Sequence, residues 1–136
     1  MGPTKFNLLV CLFLLGGATM AQASCLTSVS EVKANGIKAR WQETTANDGK
    51  PLIIVLTDGA NGLVYSASKA GEPWLTGEAS VCRAGNATKI TLSNTKATDN
   101  VPMITRMALP STLSADIVND EIKLAGGAWS GTFVGR

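Results

Sequence analysis

From Ser24 onward the apolar residues come in short runs, broken every eight to twelve residues or so by Gly, Asn, Asp or Pro. That spacing predicts short strands rather than helices. Ile37, Ala39 and Trp41 alternate with Lys38, Arg40 and Gln42, which gives an extended segment one apolar and one charged face. The Asn35-Gly36 pair just before it is a two-residue hairpin signal that would pair Ala34 with Ile37 and Val32 with Ala39. Ser28-Val29-Ser30-Glu31 is also a capping box, and it would open a short helix ending at Asn35-Gly36. Residues 26–34 are therefore open to both strand and helix.

Beyond the Asn47-Asp48-Gly49 turn, Leu52-Ile53-Ile54-Val55-Leu56 is apolar on both faces, as in a central strand or a covered barrel wall. Asp58 to Gly62 returns the chain into Leu63-Val64-Tyr65-Ser66-Ala67, a second hairpin. Gly71-Glu72-Pro73 precedes a strand from Trp74 to Cys82, and Gly85-Asn86 separates that strand from Thr88 to Leu92. A polar connector over 93–100 leads to a strand over 103–109, where Met103, Met107 and Leu109 share a face with Thr105 until Pro110 stops it. Leu113 to Val118, an Asn119-Asp120 turn, Glu121 to Leu124 and Trp129 to Val134 complete the series. Eight or nine short strands in about one domain's length predict an all-β fold, a small antiparallel barrel or sandwich. Trp41, Trp74, Trp129, Tyr65 and Phe133 carry a large share of its apolar area.

The N-terminus reads differently. Lys5 precedes the apolar run Leu8 to Leu15, and small residues follow up to Ala21-Gln22-Ala23. This is the order of an export signal, and the run is too short to span a bilayer as a helix. The chain thus divides into a signal over 1–23 and a single all-β domain over 24–136, secreted or periplasmic and without a transmembrane segment. Of three cysteines, Cys25 and Cys82 remain after the signal. An even pair in an exported chain predicts a disulfide. In the alternative, Cys25 is the lipid-bearing first residue of a lipoprotein, although Gln22 stands where such signals place Leu or a close relative.

Charge and composition narrow the chemistry. There is no histidine, which excludes a Ser-His-Asp triad, a Cys-His pair and His-ligated zinc or haem. Twelve Lys and Arg against ten Asp and Glu, with no basic run, argue against nucleic acid. Ser66-Ala67-Ser68-Lys69 fits S-x-x-K, but it lies in a strand-like run, where residues three apart face opposite ways, and S-D-N and K-T-G are missing. Asp116, Asp120 and Glu121 gather carboxylates without the spacing of a twelve-residue calcium loop. Paired carboxylates for glycoside hydrolysis need a cleft that a chain of this size has little surface to build. The expectation is a non-enzymatic protein with no cofactor or metal.

Binding is what remains. The favoured partner is a protein or cell-envelope component met through loops around Ser68 to Trp74, with Tyr65, Ser66, Lys69 and Trp74 as candidate contacts. That stretch joins a connector, a cation and an aromatic that an adjacent turn would expose. A second expectation is a small apolar ligand held inside a barrel whose many small residues leave room. Gly127-Ala128-Trp129 is similar to the Gly-x-Trp signature of lipocalin-like barrels, which carry it near the chain start. A third expectation comes from small exported barrels that inhibit lysozyme. Tyr65-Ser66 and Trp74-Leu75-Thr76-Gly77 are similar in composition to their loops, which present a serine and a lysine to the enzyme's acidic cleft, but the lysine expected beside Gly77 is absent.

Overall fold

The computed structural model describes residues 24–46, 48–126 and 130–136. The export-signal reading of 1–23 and the placement of Trp129 lie outside them. The described residues form strands β1 (Ser24–Leu26), β2 (Arg40–Glu43), β3 (Leu52–Gly59), β4 (Gly62–Lys69), β5 (Glu72–Ala84), β6 (Ala87–Ala97), β7 (Thr112–Asp116), β8 (Glu121–Leu124) and β9 (Gly131–Gly135). Two short helices join them, α1 (Val29–Ala34) and α2 (Met103–Met107).

The sheet is antiparallel in every ladder and runs β7-β6-β5-β4-β3-β2-β9-β8. Each strand from β2 to β6 pairs with its successor, and β9 returns to pair β2, with Gly135 opposite Trp41. The result is a nearly closed up-and-down barrel. Among the described residues, only the Val118–Glu121 bridge crosses between β7 and β8. β1 is the ninth strand and sits on the later part of β5, where Cys25 lies directly opposite Cys82 and bonds to it. The expected disulfide is present.

Alternation sorts side chains into wall and core. Leu52, Ile54 and Leu56 of β3, Leu63, Tyr65 and Ala67 of β4, Leu75, Ala79 and Val81 of β5, and Ile90 and Leu92 of β6 point inward, with Trp41, Ile122, Leu124 and Phe133 closing the ring. Trp41, Tyr65 and Phe133 are the largest fully buried side chains, and they fill the middle of the barrel. Each end is plugged. Val32 of α1 and Ile37 close one, and Val101, preceding α2, closes the other.

Helix rather than hairpin forms at residues 29–34. The Ser28 hydroxyl accepts the Glu31 N–H at 3.2 Å, and the Glu31 carboxylate reaches back to the N–H and hydroxyl of Thr27 at 2.7 and 2.9 Å. Those bonds hold the Glu31 carboxyl below the usual range. At the other end Gly36 N–H donates to Lys33 and Ile37 N–H to Val32, a Schellman cap with Gly36 at φ 76°. Asn35-Gly36 serves as a helix stop because its left-handed glycine suits either structure, and burial of Val32 against the barrel selects the helix.

Two further expectations are corrected. Strand β6 continues to Ala97, through what reads as a polar connector, because Thr95 and Ala97 still face inward or pair with β5. Residues 103–107 form α2, not a strand: the Met103-Thr105-Met107 alternation has no core to face, and Pro102 caps the turn whose Arg106 N–H donates to the Pro102 carbonyl.

Candidate functional site

The end of the barrel where β4 finishes and β5 begins carries the residues singled out in the sequence. Lys69 is the last residue of β4, and Ala70 and Gly71, at φ 53° and 82°, make a tight two-residue turn into Glu72. Positive φ at both central positions is the twist that matches a hairpin. The stretch around Ser68 to Trp74 is thus a tight hairpin tip, with Lys69 paired to Glu72, rather than a connector.

Lys69 Nζ lies 2.8 Å from Asp48 Oδ2 and 4.9 Å from the centre of the Trp74 ring. Its hydrogen bond, with that of the Lys50 N–H at 2.9 Å, holds the Asp48 carboxyl below the usual carboxylate range. Trp74 is half-buried and packs against the core. The lysine charge is therefore already matched by a carboxylate and a ring face, and the indole is a wall of the barrel mouth as much as a contact surface. The mouth space bounded by Glu43, Leu52, Lys69, Trp74, Val101 and Leu109 measures about 50 Å³. A water occupies about 30 Å³ in the liquid, so this space suits water and not a lipid.

The other two candidates sit elsewhere. Tyr65 is buried in the barrel, its hydroxyl 2.6 Å from that of Thr95. Burial pushes the Tyr65 phenol above its ordinary pKa, opposed in part by the Thr95 bond. Ser66 faces outward from the middle of β4, and Thr76 is its partner on β5, as Gly77 is that of Tyr65. Both segments similar to lysozyme-inhibitor loops thus lie side by side within the wall. Lys69 and Trp74 come together; Tyr65 and Ser66 join neither them nor each other.

What sequence reasoning missed is the lid over this end. Thr98 N–H donates to the Trp74 carbonyl at 2.9 Å, and the Pro73 carbonyl accepts from the Thr98 hydroxyl at 2.7 Å and the Asn100 amide at 2.9 Å. Arg106 lies 3.5 Å from Asp99. Val101 is buried beneath, while Met103, Ile104 and Met107 are 65%, 84% and 80% exposed. The signal available in the sequence was the pair Pro102 and Pro110 bracketing an apolar stretch with a single charge, Arg106, which suits a capped lid better than a strand.

Among the described residues no group of three His, Cys, Asp or Glu side chains is placed to hold a metal ion, and no helix is long and apolar enough to cross a membrane. Comparison with protein-family models, curated proteins and solved structures finds no match to this chain.

Proposed function

We propose that this is an exported, non-enzymatic binding protein that meets a partner protein of the cell envelope or exterior through the lid end of its barrel. The observation that carries the reading is the triplet Met103, Ile104 and Met107, large, apolar and open to solvent on a segment pinned from below by Val101 and the hydrogen bonds to Pro73 and Trp74. Contiguous exposed apolar surface rimmed by polar groups marks interaction sites. A pre-ordered lid loses little conformational freedom on binding, and methionine adapts to its partner's shape.

The filled interior weighs against an apolar-ligand carrier, because ligand pockets usually enclose about 300–1,000 Å³. A Cys25 sulfur bonded to Cys82 weighs against a lipid anchor at that residue.

Site-specific photo-crosslinkers test the reading. Placed at Ile104 or Met107 in the producing cells, they should give one discrete protein adduct, and at Ser66 on the outer wall none. Ile104→Asp should cut the Met107 adduct about tenfold without changing Tm, since the side chain touches solvent. Equal labelling from Ser66, or a lipid-sized mass retained by the purified protein in native mass spectrometry, would overturn it.

A further inference from the structure

At the α1 end of the barrel, opposite the lid, cations gather without carboxylates to meet them. Arg136 N–H donates to the Arg40 carbonyl at 2.9 Å, one step beyond the Gly135–Trp41 pair, so the two arginines stand directly across from each other. Trp41 and Phe133 point inward, and alternation therefore turns both arginines to the outer wall, where both are exposed. Like charges facing each other across a ladder destabilise it. Lys38 joins them. A Cβ on Gly135 would lie 2.5 Å from Lys38 Cγ and 2.7 Å from its Cβ, so the bare glycine lets the lysine stem pass next to Arg136. Lys33 lies in the last turn of α1, and the neighbouring Arg83 donates to the neutral Asn35 side-chain carbonyl at 3.2 Å. Among the described residues Lys33, Lys38, Arg40, Arg83 and Arg136 take part in no ion pair.

Lys33, Gly36, Ile37, Lys38, Ala39 and Arg136 line an open depression of about 290 Å³, whose charged side chains are all basic. The acids around it are engaged or aimed elsewhere. Glu31 accepts from Thr27, and Asp58 accepts the Val29 N–H, both at the other end of α1. The helix-end carbonyls that would repel an anion are taken, that of Val32 by Ile37 and that of Lys33 by Gly36. On the β9 side stand Asp120, whose carbonyl accepts the Gly135 N–H, Glu121, opposite Val134, and the Arg136 α-carboxylate. Among the described residues none of these three pairs with a lysine or arginine.

We propose that this depression is an anion site, distinct from the lid, for a phosphoryl group carried on a small hydrophilic molecule such as a sugar phosphate. A guanidinium presents paired donors that match phosphate geometry, and an ammonium adds a compact charge beside it. A bound phosphoryl group offsets the repulsion that Arg40, Lys38 and Arg136 otherwise exert on one another. The carrier is hydrophilic because the exposed large apolar side chains, Met103, Ile104, Met107 and Val118, do not line the depression, which leaves it without an apolar rim to seat in a bilayer.

The test titrates glucose 6-phosphate into the isotopically labelled protein, with sodium chloride at matched ionic strength and uncharged glucose as controls. Saturable amide shifts centred on Lys33, Gly36, Lys38 and Arg136 are expected with the phosphate and with neither control. The double variant Lys38→Gln, Arg136→Gln should weaken binding at least about tenfold. Its Tm should be no lower than the parent's, since like charges have been removed. If that variant unfolds, Lys33→Gln, on the exposed surface of α1, decides by its own loss of affinity. Vesicles of phosphatidylglycerol should not carry the protein down at about 0.15 M salt, where exposed charges are screened beyond about 8 Å. Shifts that chloride reproduces, absence of saturation, unchanged affinity in the variant, or sedimentation with the vesicles would overturn the proposal.

Discussion

A methyl group on residue 77 would sit 2.6 Å from both the Ser93 carbonyl oxygen and Tyr65 Cε1. Glycine is needed there because the Tyr65 ring crosses the strand at that point, and the wall accommodates it with a bulge in which Asn94, at φ 52°, takes the left-handed turn. Gly77→Ala should therefore destabilise the fold by about 2–3 kcal/mol in chemical denaturation, since a backbone oxygen cannot move aside as a side chain can. A loss under about 0.5 kcal/mol would mean the bulge relaxes freely. Tyr65 also makes a pH prediction. Its folded-state pKa is raised above the ordinary 10.0, so the fold favours the neutral phenol; that contribution is whole at neutral pH and is lost as pH rises from 10 through the folded value. It is the sole tyrosine, so phenolate absorbance reports it alone. The folded protein should titrate above the urea-unfolded one, and Tyr65→Phe should remove the alkaline loss while costing about 1 kcal/mol at neutral pH through the Thr95 bond.

Among the elements, the β4–β5 hairpin holds an alanine where its turn wants glycine or asparagine: Ala70 has φ 53°. The left-handed region costs an ordinary residue about 1–2 kcal/mol. Ala70→Asn should raise stability by about 0.5–1 kcal/mol in thermal unfolding, and no gain would show that Lys69 and Trp74 already set the turn. The same scale shows where local pattern was sufficient. The strands β3, β4 and β5 were legible as apolar runs between turn residues, the Ile37-Ala39-Trp41 alternation was legible because it buries Ile37 and Trp41 and exposes Lys38 and Arg40, and Lys69 and Trp74 flank a turn that Gly71-Glu72-Pro73 announces. It failed at 103–107, where a two-residue period met no sheet, and at Asn35-Gly36, whose backbone chemistry is common to hairpins and helix stops.

For the whole molecule, the Cys25–Cys82 bond joins β1 to the middle of the sheet across 57 residues of sequence. The chain-entropy model puts that closure at about 4 kcal/mol. A Cys25→Ser, Cys82→Ser double variant should lose stability of that order and free β1, while β2 to β9 keep their pairing, as hydrogen exchange can read strand by strand. Loss of the entire barrel would show instead that β1 is part of the cooperative core. The candidate surface belongs to this scale too. The lid needs the mouth that Val101 plugs, and among the described residues β7 and β8, adjacent in sequence, bridge only at Val118 and Glu121.

Strand class, disulfide partners and the exclusion of histidine chemistry were readable in order and composition alone, since each depends on neighbours a few residues away or on simple counting. Closure of the ring, the burial of Tyr65, the neutralised Lys69 and the outward face of α2 were set by contacts between residues far apart along the chain. A side chain's alternation says that it has two faces to choose between; which one meets the core depends on what the rest of the barrel brings to it.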